Sequence, residues 1–469
     1  MADVQINVIN RSVEILPPTM PNVDKVAKMA RICYKAEKNM NHETDVRIIK
    51  TCIREGHESV LEHGAISLFI NSEVTEDSKF FSQFIKDNPD VNFTRIWEVA
   101  KTDGLLKYCE RFMEPELYDK FKERHGIEND ERRVLPCYIA DIRAWRLILR
   151  EKFYSATANA DSLSLILTIK VLQELNLVDG ENIFFGDIVD QVNESFKNPN
   201  VQDMVIIGDS VKEELKDFTV DGIANYFFKD KSTCFAGQAS RCATLSVILT
   251  TDRATTHQLV RHRKNVAYSQ ESQRYVNYDK KGFSVIPLTV EPTKYPLDFI
   301  EDWDTGRVDS NTVAYDVWYK AMQNAFSSYV ELLHLYDPEN AGPGFKNLPP
   351  ETCRGVLPND TATKIGVTWF MQSSFVNLCR WRIDSHAQYA IRSTIAYIVL
   401  YGCLNHHPFF DILPHQAVIK WLEQIKEQKL FNDNALVENA LNQRKKMLKI
   451  VENYIKQHKE ELEKQRDNQ

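Results

Sequence analysis

The 469-residue chain has no run of about 18 to 20 uninterrupted apolar residues, so nothing in it reads as a membrane-spanning helix. Its first residues, MADVQINVIN, hold neither a basic stretch nor an apolar core of the kind that directs export, and the expected location is the cytoplasm. None of the nine cysteines (Cys33, Cys52, Cys109, Cys137, Cys234, Cys242, Cys353, Cys379, Cys403) stands in a CxxC pair. That argues against a structural zinc site and against a disulfide framework, and fits reduced thiols used for packing. Positive charge is also short: 58 Lys and Arg against 66 Asp and Glu leave a net charge of −8. Binding along a phosphate backbone needs an excess of cations, so no nucleic-acid partner is expected. The Gly-x-Gly-x-x-Gly dinucleotide fingerprint is missing, as are repeats of fixed period and low-complexity segments.

What is present is an apolar fraction of 43%, enough for the core of one large domain or two ordinary ones. The arginines, though outnumbered, are clustered. Arg241, Arg253, Arg261, Arg263 and Arg274 form one group, and Arg354, Arg380, Arg382 and Arg392 a second. Most arginines are solvated surface charge. Two groups flanked by apolar sequence point instead to a local pocket for anions.

Apolar periodicity predicts a short first strand in VQINVIN, helices over 24–36 and 46–55 with Gly56 as a stop, and a buried strand over 65–70. From 71 to 240 the pattern is irregular, with helical runs at 142–152 and 163–177, and reads as a mostly helical insertion. A strand over 245–250 leads into a helix through Gln258 and then a polar loop. A long helix is expected over 310–335, a strand over 363–369 and a helix over 374–401. An amphipathic tail helix is expected over 434–464. The division is 1–75 and 241–410 as two parts of one domain, 76–240 as the insertion and 411–469 as a helical tail.

Three constellations carry chemistry. The first is Arg261-His262-Arg263 followed, after a loop, by Ser269-Gln270-Glu271-Ser272-Gln273-Arg274-Tyr275. It offers two guanidinium forks, an imidazole between them, and hydroxyl and amide groups suited to a nucleotide. The second is Gly56-His57-Glu58-Ser59-Val60-Leu61-Glu62-His63. His57 and His63 are six apart rather than four, too far round a helix for zincin-type ligation, so no metal is expected. The third is Arg354-Gly355-Val356-Leu357-Pro358 with Asn377, then Arg382 through His386-Ala387-Gln388.

Taken together and in this order, the three runs resemble the motifs of flavin-dependent thymidylate synthases. The chain departs from the commonest spacing in one place. Lys264 to Glu271 puts eight residues before Ser272, one more than usual, with the extra residue among Lys264, Asn265, Val266 and Ala267, where a bulge is expected. The resemblance implies an α+β fold, a homotetramer with active sites between subunits, and FAD as cofactor. It implies dUMP, methylenetetrahydrofolate and NADPH as partners in making dTMP. By the same resemblance, His57, Ser59, Arg261, His262, Arg263, Gln270 and Asn377 hold the flavin, and His63 is structural. Gln258, Arg261, Gln270, Glu271, Ser272, Arg274, Arg354 and Arg382 hold dUMP, with Arg382 as the catalytic residue. A competing reading from another class is a nucleotide- and flavin-binding protein with a regulatory or structural role and no turnover. Cys137 follows a proline, as the nucleophile of flavin-independent synthases does, but the next residues, Tyr138-Ile139, do not match that family.

Overall fold

The computed structural model describes residues 5–17, 20–36, 40–70, 83, 86–88, 93–101, 132–144, 204–207, 244–370, 372–411 and 413–457. Arg241 and most of 71–240, including the run at 163–177 and all but 142–144 of the run at 142–152, lie outside them.

Two four-stranded sheets and a set of helices make a mixed α and β architecture. The strands are β1 (Asn7–Val8), β2 (Ser12–Ile15), β3 (Ala65–Ile70), β4 (Phe93–Lys101), β5 (Arg132–Asp141), β6 (Met204–Ile207), β7 (Leu245–Asp252), β8 (Val266–Gln270), β9 (Ser284–Val285), β10 (Ile300–Asp302), β11 (Arg307–Val308) and β12 (Ala362–Trp369). The sheet that carries the motifs runs β2-β7-β12-β8, with every neighbour antiparallel. Strand side chains alternate between faces. Leu245, Val247 and Leu249 of β7, with Ile365, Val367 and Trp369 of β12, therefore enter one large core, while Ile248 joins Leu16, Met29 and Ile32 on the opposite face.

That opposite face is covered by α1 (Asn22–Tyr34), followed by α2 (His42–Arg54). Helix α2 begins on a reciprocal capping box between Asn41 and Thr44 and ends where Gly56 takes a positive φ of 74°. On the large-core face pack α5 (Gln372–Arg382), α6 (Tyr389–Leu404), α7 (His415–Glu427) and α8 (Asn434–Gln457). Two further helices matter: α3 (Arg253–Leu259), which follows β7 directly, and α4 (Val313–His334), which buries Trp318, Met322, Phe326, Tyr329 and Leu333 in a separate cluster. Among the described residues no helix is long and apolar enough to cross a membrane.

Two expectations need correcting. The stretch 374–401 is two helices, not one, because the chain turns at Asp384, whose side chain accepts from the His386 amide while its carbonyl accepts from that of Ala387. The polar loop after Gln258 contains the edge strand β8, paired to β12 from Val266↔Trp369 to Gln270↔Ile365. Within the stretch 76–240, expected to be a mostly helical insertion, the described residues include β4, β5 and β6, which join β3 in a second sheet of order β4-β5-β3-β6, and the runs expected to be helical lie almost wholly outside the described residues.

Candidate active site

Residue by residue, the motif side chains gather at the two ends of β8. At its start lies Arg382, the last residue of α5. Its Nε donates to Nε2 of His262 at 3.0 Å, Nη1 to the side-chain oxygen of Gln258 at 3.4 Å and Nη2 to the Gln258 carbonyl at 3.2 Å. A guanidinium only donates, so His262 accepts at Nε2 and carries its proton on Nδ1. Burial first, and then the Arg382 charge, hold that imidazole below its ordinary pKa, which keeps it neutral. The Gln258 amide in turn donates to Gln388, so the helix that leads into the Arg-His-Arg run touches the His-Ala-Gln segment.

Local sequence explains this placement. Asp252 caps α3 by accepting from the Thr255 amide at 2.7 Å and is itself paired with Arg11 at 3.0 Å, which orients the short helix carrying Gln258. The Tyr268 hydroxyl lies within donating distance of the carbonyls of Leu259, which also accepts from the His262 amide, and of His262, and so holds the helix end against β8. Asn265 turns the chain into β8 with a φ of 53°, and the carbonyls of Lys264 and Asn265 are tied to Ser374 and Phe370. This turn falls where the extra residue was expected.

At the other end of β8, roughly 13 Å away by strand rise, the rings of Tyr34, His57 and Tyr275 stand 6.1 to 6.3 Å apart. Arg274 lies over Tyr275 at 5.5 Å and pairs with Glu351 at 3.2 Å. Both partners are about half exposed, so this ion pair is worth little and opens readily to a competing anion. The Ser272 amide donates to the Cys33 carbonyl, and the Arg274 amide to the Ser272 hydroxyl.

Arg261, Arg263 and Arg354 are exposed, and among the described residues no carboxylate pairs with any of them. Ser59 and Asn377 are exposed as well, with no described contact joining them to either group. Gln270 is half-buried and donates to Thr256 and Thr363. Glu271 departs most from expectation: its side chain is buried, accepts from the Tyr278 hydroxyl at 2.8 Å and has Lys35 at 3.9 Å, while its carbonyl accepts from Arg253. Burial pushes its carboxyl above the usual range. His63 lies fully inside, between Thr368 at 2.9 Å and Ser269 at 3.0 Å, and ties the second motif to β12 and β8. Arg392, from the second arginine group, is spent on an internal ion pair with Glu291 and a bond to Gln428. Among the described residues no group of three or more His, Cys, Asp or Glu comes together as a metal-ligand set.

The family model described as thymidylate synthase complementing protein matches residues 16–75 and 207–401. The chain belongs to the flavin-dependent thymidylate synthase family. It is 31% identical over 146 residues to the flavin-dependent thymidylate synthase of Clostridium tetani (strain Massachusetts / E88), an overlap of 30% of this chain and 50% of that one. With the flavin-dependent thymidylate synthase of Geobacter sulfurreducens (strain ATCC 51573 / DSM 12127 / PCA) it shares 32% over 142 residues, 30% of this chain and 48% of the other. The chain thus spans about half the length of the curated relatives it matches. Both segments of the family match bear on the site: one holds Tyr34, His57 and β3, the other both ends of β8 and Arg382.

Sequence reasoning passed over Tyr34, Tyr268, Gln388 and the role of Arg253. Tyr275 and Gln388 sit inside motifs and had a signal. Tyr34 had none, because its partner His57 is 23 residues away.

Proposed function

We propose that this protein, a cytoplasmic enzyme, converts dUMP to dTMP by reductive methylation, with methylenetetrahydrofolate as carbon donor, FAD as hydride carrier and NADPH as reductant. One observation supports this reading above the rest: Arg382 bonds both His262 and Gln258, joining motifs 120 or more residues apart around one fixed cation. FAD, when bound, supplies the hydride chemistry, and the protein orients and polarises its partners.

The residues fit such a group. The exposed guanidiniums of Arg261 and Arg263, which no carboxylate among the described residues pairs, suit a diphosphate. His57, Ser59, His262, Gln270 and Asn377 complete the flavin site in this proposal. The phosphate of dUMP falls to Ser272, Arg274 and Arg354, with Arg261 within the same set, and Glu271 braces the loop from behind through its bond with Tyr278. Gln258 and Gln270 offer amides to the nucleotide. Arg382 faces the uracil ring, where a guanidinium that stays protonated and is held by two residues stabilises negative charge as carbon five becomes a nucleophile.

The test is direct. The purified protein should be yellow and should bleach on anaerobic addition of NADPH. A folded protein that stays colourless and takes up no added FAD contradicts the proposal.

A further inference from the structure

The Tyr34 phenol and Nδ1 of His57 lie 2.5 Å apart. Both backbones are pinned: Tyr34 closes α1 just before Lys35 turns left-handed, and the His57 amide donates to the Cys52 carbonyl at 2.7 Å. Tyr275 packs against both rings, at 6.1 Å from Tyr34 and 6.3 Å from His57, and limits reorientation of the imidazole. Two hydrogen-bond directions are open to such a pair. If the imidazole donated, the phenol hydrogen would need an acceptor elsewhere, and among the described residues the Tyr34 hydroxyl has no other hydrogen-bond partner. If the phenol donates, both groups are satisfied, and the more acidic O–H meets the more basic nitrogen.

We infer that Tyr34 is a positioning residue that fixes His57 as its Nε2–H tautomer, so that His57 meets its ligand as a hydrogen-bond donor and not as a base. The ligand class that follows is a planar heterocycle with carbonyl oxygens on its edge, which flavin and pterin rings share. The choice of such a ring rests on the function proposed above, whereas the tautomer rests on the geometry alone. Burial keeps the phenol protonated by pushing its pKa to about 12, consistent with a standing donor. Fixing a tautomer through the far ring nitrogen is how a neighbouring group usually commits an imidazole to one role.

The experiment is a long-range proton–nitrogen correlation on the full chain carrying ¹⁵N-histidine, at a pH where histidine is neutral, with His57 assigned by its loss in His57→Gln. The expected result is a protonated Nε2 and a bare Nδ1 in the wild type, and a mixture of both forms in Tyr34→Phe. FAD binding by Tyr34→Phe should weaken about three- to tenfold, the size of one net hydrogen bond. His57→Gln, which retains an N–H donor at comparable reach, should bind FAD more tightly than His57→Leu. A wild type with Nδ1 protonated overturns the inference, as does a Tyr34→Phe variant unchanged in tautomer and in FAD affinity. A wild type with the expected tautomer that takes up no FAD overturns the flavin assignment and leaves the tautomer control standing. Should Tyr34→Phe fail to fold, the wild-type spectrum decides on its own.

Discussion

Arg382 is the residue to which the proposed function assigns the chemistry at the uracil ring. Replacing it by alanine removes a donor to His262 and to Gln258 and the cation itself. Methyl transfer to dUMP should then fall by about 10²- to 10³-fold, as when one preorganised donor is lost. Flavin reduction by NADPH should survive, which stopped-flow absorbance checks. Arg382→Lys keeps charge but not the planar fork, and its loss should be smaller. His63 gives a second prediction at this scale. Burial, and then the neighbouring Lys25 charge, pull its pKa from 6.5 to about 3. An unfolded chain takes up the proton near 6.5 and the folded one does not, so stability is lost as pH falls below that value. By pH 5 His63 accounts for about 2 kcal/mol of that loss. His415, pulled down to about 4 for the same reason, adds to it in the same window. Urea unfolding at pH 7 and pH 5 should show a smaller pH-dependent loss in His63→Gln than in the wild type, and an equal loss contradicts the assignment. The motif side chains were legible in the sequence because guanidinium, imidazole and amide carry their chemistry with them. The inward turn of Glu271 was not, because burial depends on Tyr278 and Lys35, which join it only in the fold.

Among the elements, β7, β12, α1, α2 and α4 could be read because apolar period and flanking stops agree over their length. β8 could not, since it is an edge strand paired on one side only, and its run VAYSQ is short and shows no clean apolar-polar alternation. The break between α5 and α6 was hidden for another reason: both helices are apolar enough for one continuous reading, and only the turn at Asp384 separates them. That break matters to the candidate site, because it sends Arg382 to His262 and Gln258 and Arg392 to Glu291. The packing of α1 on the sheet makes a prediction of its own. A Cβ at Gly366 in β12 meets the Met29 sulfur at 2.1 Å and Ile32 at 3.1 Å. Gly366→Ala should therefore cost roughly 1–3 kcal/mol by overpacking. Urea unfolding measures this, and adding Met29→Ala should make the second substitution cost less than it does alone, a coupling that would be absent if the clash were unimportant.

Over the whole molecule the family match falls in two segments, 16–75 and 207–401, with β4 and β5 in the interval between them and β6 at its end. We propose that this interval is accessory, forming an interface or lid. Ile70 and Met204 are direct partners across β3 and β6, so residues 71–203 can be exchanged for a tight Asn-Gly hairpin turn. The shortened chain should stay folded and bind FAD. A folded variant devoid of FAD would place part of the pocket in the removed stretch. The proposed homotetramer should appear as four copies in light scattering of the wild type. The central claim, that the two ends of β8 and Arg382 make one site for methylating dUMP, is tested most directly by tritium release from dUMP labelled at carbon five. With FAD, NADPH and methylenetetrahydrofolate, release should match dTMP formation one for one and vanish when the folate or reductant is withheld. Folded, flavin-loaded protein that binds dUMP yet releases no tritium would contradict the account.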